Sequence, residues 1–209
     1  MTRNEFKTEN SGENQGVIVG QNSGNINVSI QKVVKIPSLI ATVVKTLGEM
    51  CVQDDFSDNI GNLQEYRPDE KIEYNCVVKY KEIIKEFSAY YSICENHLNA
   101  YDDSNISGKA RILKCVHLWY LQAKGEIIAE NIQTGKSYIE IVRKNSDRII
   151  DMVKIKIRDA VMGAKEFDTM YVEDIELGIE CFTCFCFMEC KILERPCLLY
   201  TSPSPRDTR

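Results

Sequence analysis

The chain has 209 residues, of which 44% are hydrophobic and 27% charged, and its formal net charge is −5. This balance is typical of one globular domain with a short extension. The acidic charge and the lack of a basic stripe argue against direct nucleic-acid binding, which depends on Lys and Arg neutralising phosphates. No run of about 18 apolar residues occurs, so we predict no membrane span. With no secretion signal at the polar N-terminus, we expect a cytoplasmic protein with reduced cysteines.

The N-terminal part of the chain divides into two segments. Residues 1–15 are polar and cannot bury enough apolar surface to fold, so we predict disorder there. Residues 16–34 predict a short β-hairpin or β-rung, because β-branched residues flank a Gly-containing turn and alternate with polar ones after it. Two strands alone are marginally stable, and copies from other chains could complete a sheet. The residues that we expect to mediate such self-association are Val17, Val19, Ile26, Val28 and Ile30.

Residues 36–196 predict a mainly α fold, an antiparallel bundle of about five helices. Pro37 or Ser38 opens the first helix, which runs to about residue 51, and an acidic loop follows at 53–69. Apolar residues at steps of three to five then predict helices over 71–98, 107–128, 137–162 and 172–193. The short connections favour antiparallel neighbours.

The tail from Cys197 to Arg209 differs from the rest of the chain. Its sequence, CLLYTSPSPRDTR, resembles the translation of a sequencing adapter. The helical pattern ends at Pro196 and a Ser/Pro run follows, which agrees with a change of origin at that point. We therefore predict that residues 197–209 are not native and leave open whether the native chain continues past Pro196.

Four cysteines form the sharpest cluster of potential metal ligands: Cys181, Cys184, Cys186 and Cys190. The two-residue spacer between Cys181 and Cys184 occurs in zinc sites. However, the cluster lies in an apolar helical stretch, lacks a glycine turn between the ligands and has no second pair at ribbon spacing. We interpret these thiols as core residues and predict no metal and no cofactor.

No catalytic constellation is evident. His97 and His117 lie in no recognisable motif, and a general acid or base needs a partner within hydrogen-bond reach. The paired acidic residues fall at loops and helix starts, where they cap helices or face water. We therefore predict that the protein is not an enzyme.

Tyr90 and Tyr91 are a candidate docking surface. Adjacent side chains cannot both face the core from one regular helix, so one of them should be exposed. Tyr and Trp are enriched in the cores of protein interfaces. The alternative is a large aromatic core that buries most of these rings.

Three stretches resemble a known family. They are residues 71–75 (KIEYN) leading into 80–84 (YKEII), residues 141–150 (IVRKNSDRII) and residues 190–196 (CKILERP). They resemble the helical C-terminal domain of bacterial ABC-three component anti-phage systems, with the similarity covering about residues 36–196. Residues 16–30 likewise resemble the Gly/Asn-rich strand motif that precedes effector or sensor domains in many bacterial defence proteins.

The resemblance implies a protein-interaction module that couples an effector to an ATPase and a small middle component. It implies no catalytic residue, since the matching stretches are not catalytic, and no separate effector domain is visible in the short segment before the helices. Two alternatives stay open from the residues themselves. One is a self-assembling scaffold that forms homo-oligomers through the N-terminal strands, and the other is a Cys-rich metal-binding regulator.

Overall fold

A computed structural model describes residues 35–53, 68–104 and 107–196 of the chain. The chain divides into two compact units, Met1–Lys35 and Ile36–Arg209. The described part is mainly helical, which confirms the mainly α character of the predicted fold. Its β structure is limited to one isolated bridge between Ile36 and Ala164. The predicted N-terminal disorder, the β segment at 16–34 and the tail at 197–209 lie outside the described residues.

The α-helices of the described residues are α1 (Leu39–Gln53), α2 (Asp69–Tyr74), α3 (Lys81–Phe87), α4 (Tyr91–Ser104), α5 (Gly108–Asn131), α6 (Tyr138–Lys144), α7 (Ser146–Met162) and α8 (Val172–Met188). Short 3-10 helices lie at Ser88–Tyr90, Ile132–Thr134 and Lys165–Thr169. Within these ranges no helix combines the length and apolar character needed to cross a membrane.

Helices α1 and α5 begin where the sequence predicts. The Ser38 hydroxyl oxygen accepts a hydrogen bond from the Ala41 N–H at 3.2 Å, which satisfies one of the unpaired donors at the start of α1. Helix α5 extends three residues beyond its predicted end at 128. Its buried face is the predicted one and includes Ile112, Val116 and Ala123.

The predicted helix over 71–98 is instead three α-helices, because two local structures interrupt it. Helix α2 ends in a Schellman motif, in which the Cys76 N–H donates to the Glu73 carbonyl and the Val77 N–H to the Ile72 carbonyl, both at 3.0 Å. Cys76 adopts the left-handed conformation (φ 54°) that this motif requires. The 3-10 turn Ser88–Tyr90 then separates α3 from α4.

The predicted helix over 137–162 is divided at Asn145 into α6 and α7. The Asn145 side-chain amide donates to the Ile141 carbonyl at 2.8 Å, so a side chain satisfies a carbonyl at the end of α6. At the other end of α6, Ser137 and Glu140 form a capping box. The direction of the chain therefore changes inside a stretch whose apolar spacing is continuous.

Helix α8 is the centre of the core. Its residues from Cys181 to Met188 are all buried, and the largest fully buried side chains include Phe182, Phe185 and Phe187. A helix that is apolar on every side must be surrounded by other elements. Helices α1, α3, α4 and α7 all contact it.

Candidate docking groove beside α5

An open groove of about 830 Å³ lies between the first half of α5 and the segment that follows α8. This volume falls within the range of known binding pockets. We call it the α5 groove and define it by its lining residues, which are Asp102, Lys109, Ala110, Leu113, Lys114, His117, Tyr120, Cys190, Lys191, Leu193, Glu194 and Arg195.

Cations predominate among the charged side chains of the α5 groove. Lys114, Lys191 and Arg195 have no ion pair with any residue of the described ranges. The Lys109 ammonium is shared between the side-chain Oδ1 of Asn99 at 2.8 Å and the Glu95 carboxylate at 3.7 Å. The groove is therefore a locally positive surface on a chain whose net charge is −5.

The carboxylates of the α5 groove already have partners. Asp102 accepts a hydrogen bond from the Lys109 backbone N–H at 2.7 Å. Glu194 accepts from the Tyr120 hydroxyl at 2.5 Å and pairs with Lys124. Burial opposes the charge on Glu194, but these hydrogen bonds outweigh it and hold the pKa of Glu194 below its ordinary value.

The floor of the groove begins where α8 stops, five residues before the predicted end. A second Schellman motif ends the helix, with the Cys190 N–H donating to the Phe187 carbonyl at 3.0 Å and the Lys191 N–H to the Cys186 carbonyl at 2.9 Å. Cys190 has the left-handed conformation (φ 55°), and Leu193 repeats it (φ 63°). The two reversals turn the chain from α8 toward α5.

A buried lysine holds this segment in place. Lys71 of α2 is 4% exposed, and its ammonium donates to the carbonyl oxygens of Phe187 and, at 2.8 Å, of Ile192. The ammonium also lies 4.2 Å from the centre of the Phe187 ring. Burial lowers the pKa of Lys71 to about 8. A cation at the C-terminal end of α8 complements the helix dipole there.

Asn75 provides the second clamp on the same segment. Its side-chain NH₂ donates to the Glu194 carbonyl at 2.9 Å, and its side-chain oxygen accepts from the Glu194 N–H at 3.1 Å. The same NH₂ donates to the Lys71 carbonyl, also at 2.9 Å. The Asn75 amide therefore bonds to both the N–H and the carbonyl of residue 194, as the backbone of a neighbouring β-strand would.

The three stretches that carry the family resemblance lie together in the structure. Lys71 and Asn75 of the first stretch bind the backbone of the third, as described above. In the second stretch, the Ser146 hydroxyl donates to the Cys76 carbonyl at 3.2 Å, and Asp147 accepts from the Val78 N–H at 3.2 Å. All three stretches therefore meet around residues 75–78, where they have a structural role.

Among the groove residues, His117 and Tyr120 have side chains of the kind that act as general acids or bases. The Nδ1 atom of His117 lies 3.3 Å from the Lys191 carbonyl oxygen, so this ring nitrogen faces a backbone acceptor. Burial, followed by the hydrogen bond to Glu194, raises the pKa of Tyr120 well above its ordinary value. Tyr120 is therefore a protonated hydrogen-bond donor at neutral pH.

The predicted metal-ligand candidates do not converge on one point. Cys181, Cys184 and Cys186 are buried at different angles around α8, and Cys190 lies beyond the helix end. Burial raises the pKa of Cys184 to about 12 and that of Cys186 well above its ordinary value. In the part of the chain that the structure describes, no group of three or more His, Cys, Asp or Glu side chains is arranged to hold a metal ion.

Cys181 belongs to a different thiol contact. Its sulfur lies 3.3 Å from the Cys94 sulfur of α4. A hydrogen bond with Cys51 lowers the pKa of Cys181, but the contact with Cys94 and burial outweigh it and raise that pKa well above its ordinary value. The Cys181 thiol therefore stays protonated and packs as a small apolar group.

The prediction that Tyr90 and Tyr91 form an exposed docking surface is wrong for Tyr90, which is 4% exposed. The 3-10 turn ends at Tyr90 and α4 begins at Tyr91, so the two residues do not share one regular helix. The Tyr91 ring is partly buried 5.3 Å from that of Phe185, and its hydroxyl donates to Glu189 at 2.5 Å. Both rings therefore contribute to the packing around α8.

The other predicted site lies outside the described residues. It is the self-association segment with Val17, Val19, Ile26, Val28 and Ile30, and no statement about its structure follows.

Sequence reasoning missed the residues that build the groove. Lys71 and Asn75 stand in a predicted helix, where nothing in the local pattern marks a lysine as buried. Cys190 and Leu193 give no sign of a helix end, because glycine usually occupies the left-handed position. The signal that the sequence does offer is the pair of cations Lys191 and Arg195 in the segment that follows the apolar helix α8.

Comparison with known proteins gives no assignment for this arrangement. No protein-family model, no curated protein and no solved structure matches the chain. What the α5 groove can bind must therefore be inferred from the side chains that line it.

Proposed function

We propose that the protein is a non-enzymatic interaction module and that its α5 groove receives an acidic, partly apolar segment of a partner protein. The observation that carries this proposal is the set of three cations, Lys114, Lys191 and Arg195, which form no ion pair with a described residue and surround a groove with apolar side chains. Complementary charge speeds encounter and selects partners, while apolar contacts at the centre of an interface supply most of the affinity.

The apolar lining determines which kind of anionic partner fits. Ala110 is exposed and would lie against a leucine or valine of a peptide, while Leu113 and Leu193, 6% and 2% exposed, form an apolar floor beneath the groove. A nucleic acid is a poorer match, because three free cations neutralise few phosphates and two carboxylates stand beside them. The partner class is therefore an acidic peptide segment.

The resemblance to three-component anti-phage systems supplies candidate partners for this segment. The ATPase and the small middle component of such a system are the proteins that a coupling domain would contact. A cytoplasmic location in a bacterium is part of the same proposal. We therefore expect the gene for this chain to lie beside genes for an SMC-like ATPase and a small middle component.

The non-enzymatic part of the proposal is supported by the chemistry of the groove. Tyr120 is protonated, and Glu194 is engaged by Tyr120 and Lys124. These groups are arranged to hold the chain segment against α5. A carboxylate that already accepts from two donors is a poor general base.

A binding assay with defined probes tests the proposal. A fluorescent peptide of alternating Glu and Leu should bind the full chain, and a matched Lys–Leu peptide should not. The charge reversals Lys114→Glu and Arg195→Glu should each weaken binding about tenfold, and added salt should weaken it further. Lys136→Glu is the matched control, since Lys136 is an exposed cation outside the groove.

Two outcomes would overturn the proposal. One is equal binding of the acidic and basic peptides, or binding that Lys114→Glu and Arg195→Glu leave unchanged. The other is tighter binding of a single-stranded oligonucleotide than of the acidic peptide, which would assign the groove to nucleic acid. Co-purification of the full chain with the neighbouring gene products, lost in Arg195→Glu and kept in Lys136→Glu, would connect the groove to the three-component system.

A further inference from the structure

A second surface, on the α5–α7 face, differs from the α5 groove in composition. A shallow pocket of about 190 Å³ between the two helices is lined by Trp119, Ala123, Met152 and Ile155. The Ile155 side chain is 55% exposed. Contiguous exposed apolar side chains on a folded chain mark interaction surfaces more often than scattered ones do.

Leu118 extends this apolar surface along α5. It is 53% exposed and lies one turn before Gln122, another residue of the pocket. The outward side of α5 in this region therefore carries an exposed apolar side chain beside the polar Gln122. We define the α5–α7 patch as Leu118, Trp119, Met152 and Ile155.

One anion and one cation flank the patch on opposite helices. Glu126 lines the pocket from α5 and Lys156 lines it from α7. Both side chains are exposed, and neither lies within ion-pair distance of another residue of ranges 35–53, 68–104 and 107–196, although the charge of Glu126 contributes to the raised pKa of Arg148. This contrasts with Glu130 on α5 and Arg148 on α7, which pair with each other.

This arrangement is self-complementary under two-fold symmetry. In a two-fold interface the same patch is used by both copies, so residue i of one copy meets residue j of the other and the reverse. A two-fold axis through the pocket places Glu126 of each copy over Lys156 of the other. The apolar side chains between them would then meet their own equivalents.

We propose that two copies of this chain pair through the α5–α7 patch, with Glu126 and Lys156 forming reciprocal ion pairs at its rim. The occupant of the patch is a second copy because the patch carries one anion and one cation on opposite helices, neither in an ion pair with a described residue, and a second copy supplies the opposite charge to each. The pairing is independent of the α5 groove, whose lining residues are different. The patch is small compared with interfaces of stable dimers, so the dimer dissociates on dilution.

The test is a charge exchange in the full chain, followed by sedimentation velocity across a dilution series. Glu126→Lys and Lys156→Glu should each raise the dissociation constant about tenfold, because each places like charges together at two symmetric points. The double variant Glu126→Lys with Lys156→Glu should restore the original constant, since it exchanges the charges without changing their match. Restoration is the result that a merely structural role could not produce.

The apolar part of the interface has its own variant. Ile155→Asp should abolish the dimer, whereas Val172→Asp, at an apolar side chain outside the patch that is 67% exposed, should leave it intact. Circular dichroism on each variant checks that the helical fold is retained. Because all the altered side chains are exposed, we expect unchanged spectra.

Three results would overturn the proposal. They are a chain that stays monomeric at every concentration, a dimer that is indifferent to both single charge reversals, and a double variant that remains as weak as the single ones. The second result would assign association to another part of the chain, such as residues 16–34. The first would leave the patch to a partner other than a second copy.

Discussion

Gly178 of α8 lies directly against the backbone of Val44 in α1: a Cβ atom added at position 178 would stand 2.0 Å from the Val44 carbonyl oxygen. The same contact recurs one turn away with the roles exchanged, where a Cβ on Gly48 would stand 2.0 Å from the Asp174 carbonyl oxygen. Numbering rises along one helix as it falls along the other, so the pair is antiparallel. Two glycines thus let the central helix approach α1 closely.

Gly178→Ala should destabilise the fold. The added methyl group has to push two helix backbones apart, which costs about 1–3 kcal/mol, and the better helix propensity of alanine returns at most about 1 kcal/mol. We expect a lower midpoint in urea and in thermal unfolding followed by circular dichroism. Gly125→Ala is the control, because nothing lies within 4 Å of a Cβ at that position of α5, and it should be neutral or slightly stabilising. Equal stability of the two variants would show that α1 and α8 are not in close contact.

Lys71 should make stability depend on pH in the alkaline range. Its pKa is about 8 in the folded chain against an ordinary value of 10.5, so between these pH values the unfolded chain binds more protons than the folded one. The contribution of Lys71 to the free energy of unfolding therefore increases as the pH rises through that window, and it is lost as the pH falls toward 8. The full shift in the pKa of Lys71 corresponds to about 3 kcal/mol of unfolding free energy.

The measurement is the unfolding free energy of the wild type minus that of Lys71→Met at several pH values. This difference should grow from pH 8 to pH 10 in favour of the wild type, while contributions from tyrosines, and from cysteines other than Cys186 and Cys190 that interact with Lys71, cancel between the two proteins. A flat difference would mean that the Lys71 ammonium is solvated rather than buried against Phe187 and Ile192.

The thiols should differ widely in reactivity. Cys76 is exposed, whereas Cys184 and Cys186 are buried and their raised pKa values keep the nucleophilic thiolate rare. Iodoacetamide should label Cys76 in the native chain and reach the other two only after denaturation. Peptide mass mapping over time gives the rates, and labelling of Cys184 as fast as that of Cys76 would contradict the buried position of α8.

Cys76→Gly should stabilise the protein. The residue has a left-handed backbone (φ 54°) that costs a side-chain-bearing residue about 1–2 kcal/mol, and glycine adopts it without that cost. The greater flexibility of glycine in the unfolded chain offsets part of the gain, so we expect a net increase of about 0.5–1 kcal/mol. Cys76→Ala, which keeps the Cβ atom, should bring no such increase in a urea titration. If it stabilises equally, the effect comes from removing the thiol.

Apolar periodicity predicts the elements whose packing follows one continuous face. The stripe with Ile112, Val116 and Ala123 is enough to identify α5, and Ser38 marks the start of α1. The interruptions at Cys76, Asn145 and Cys190 are less visible, because they depend on single residues in unusual backbone or side-chain conformations. At two of these positions a cysteine takes the place where a glycine would have given the signal.

The groove could not be predicted because its parts are far apart in the chain. Lys71 is identified as a clamp only once Ile192 is known to lie beside it, and Asn75 only once its amide faces Glu194. Tyr90 shows the same limit, because its local sequence does not predict its burial. Helical geometry predicted that either Tyr90 or Tyr91 would be exposed, but the 3-10 turn ends at Tyr90 and α4 begins at Tyr91, so the two residues do not share one regular helix.

Helix α8 supplies the centre of the core and is the last helix of the described chain, which affects the order of events during synthesis. Until residues 172–188 have left the ribosome, the apolar side chains of α1 and α7 that α8 covers have nothing to cover them. The hydrogen bonds from Lys71 to Ile192 and from Asn75 to Glu194 form later still, because residues 192 and 194 are synthesised after α8. A nascent chain halted before α8 should therefore remain unfolded and bind chaperones, and release of the last turn of that helix should trigger folding of the whole.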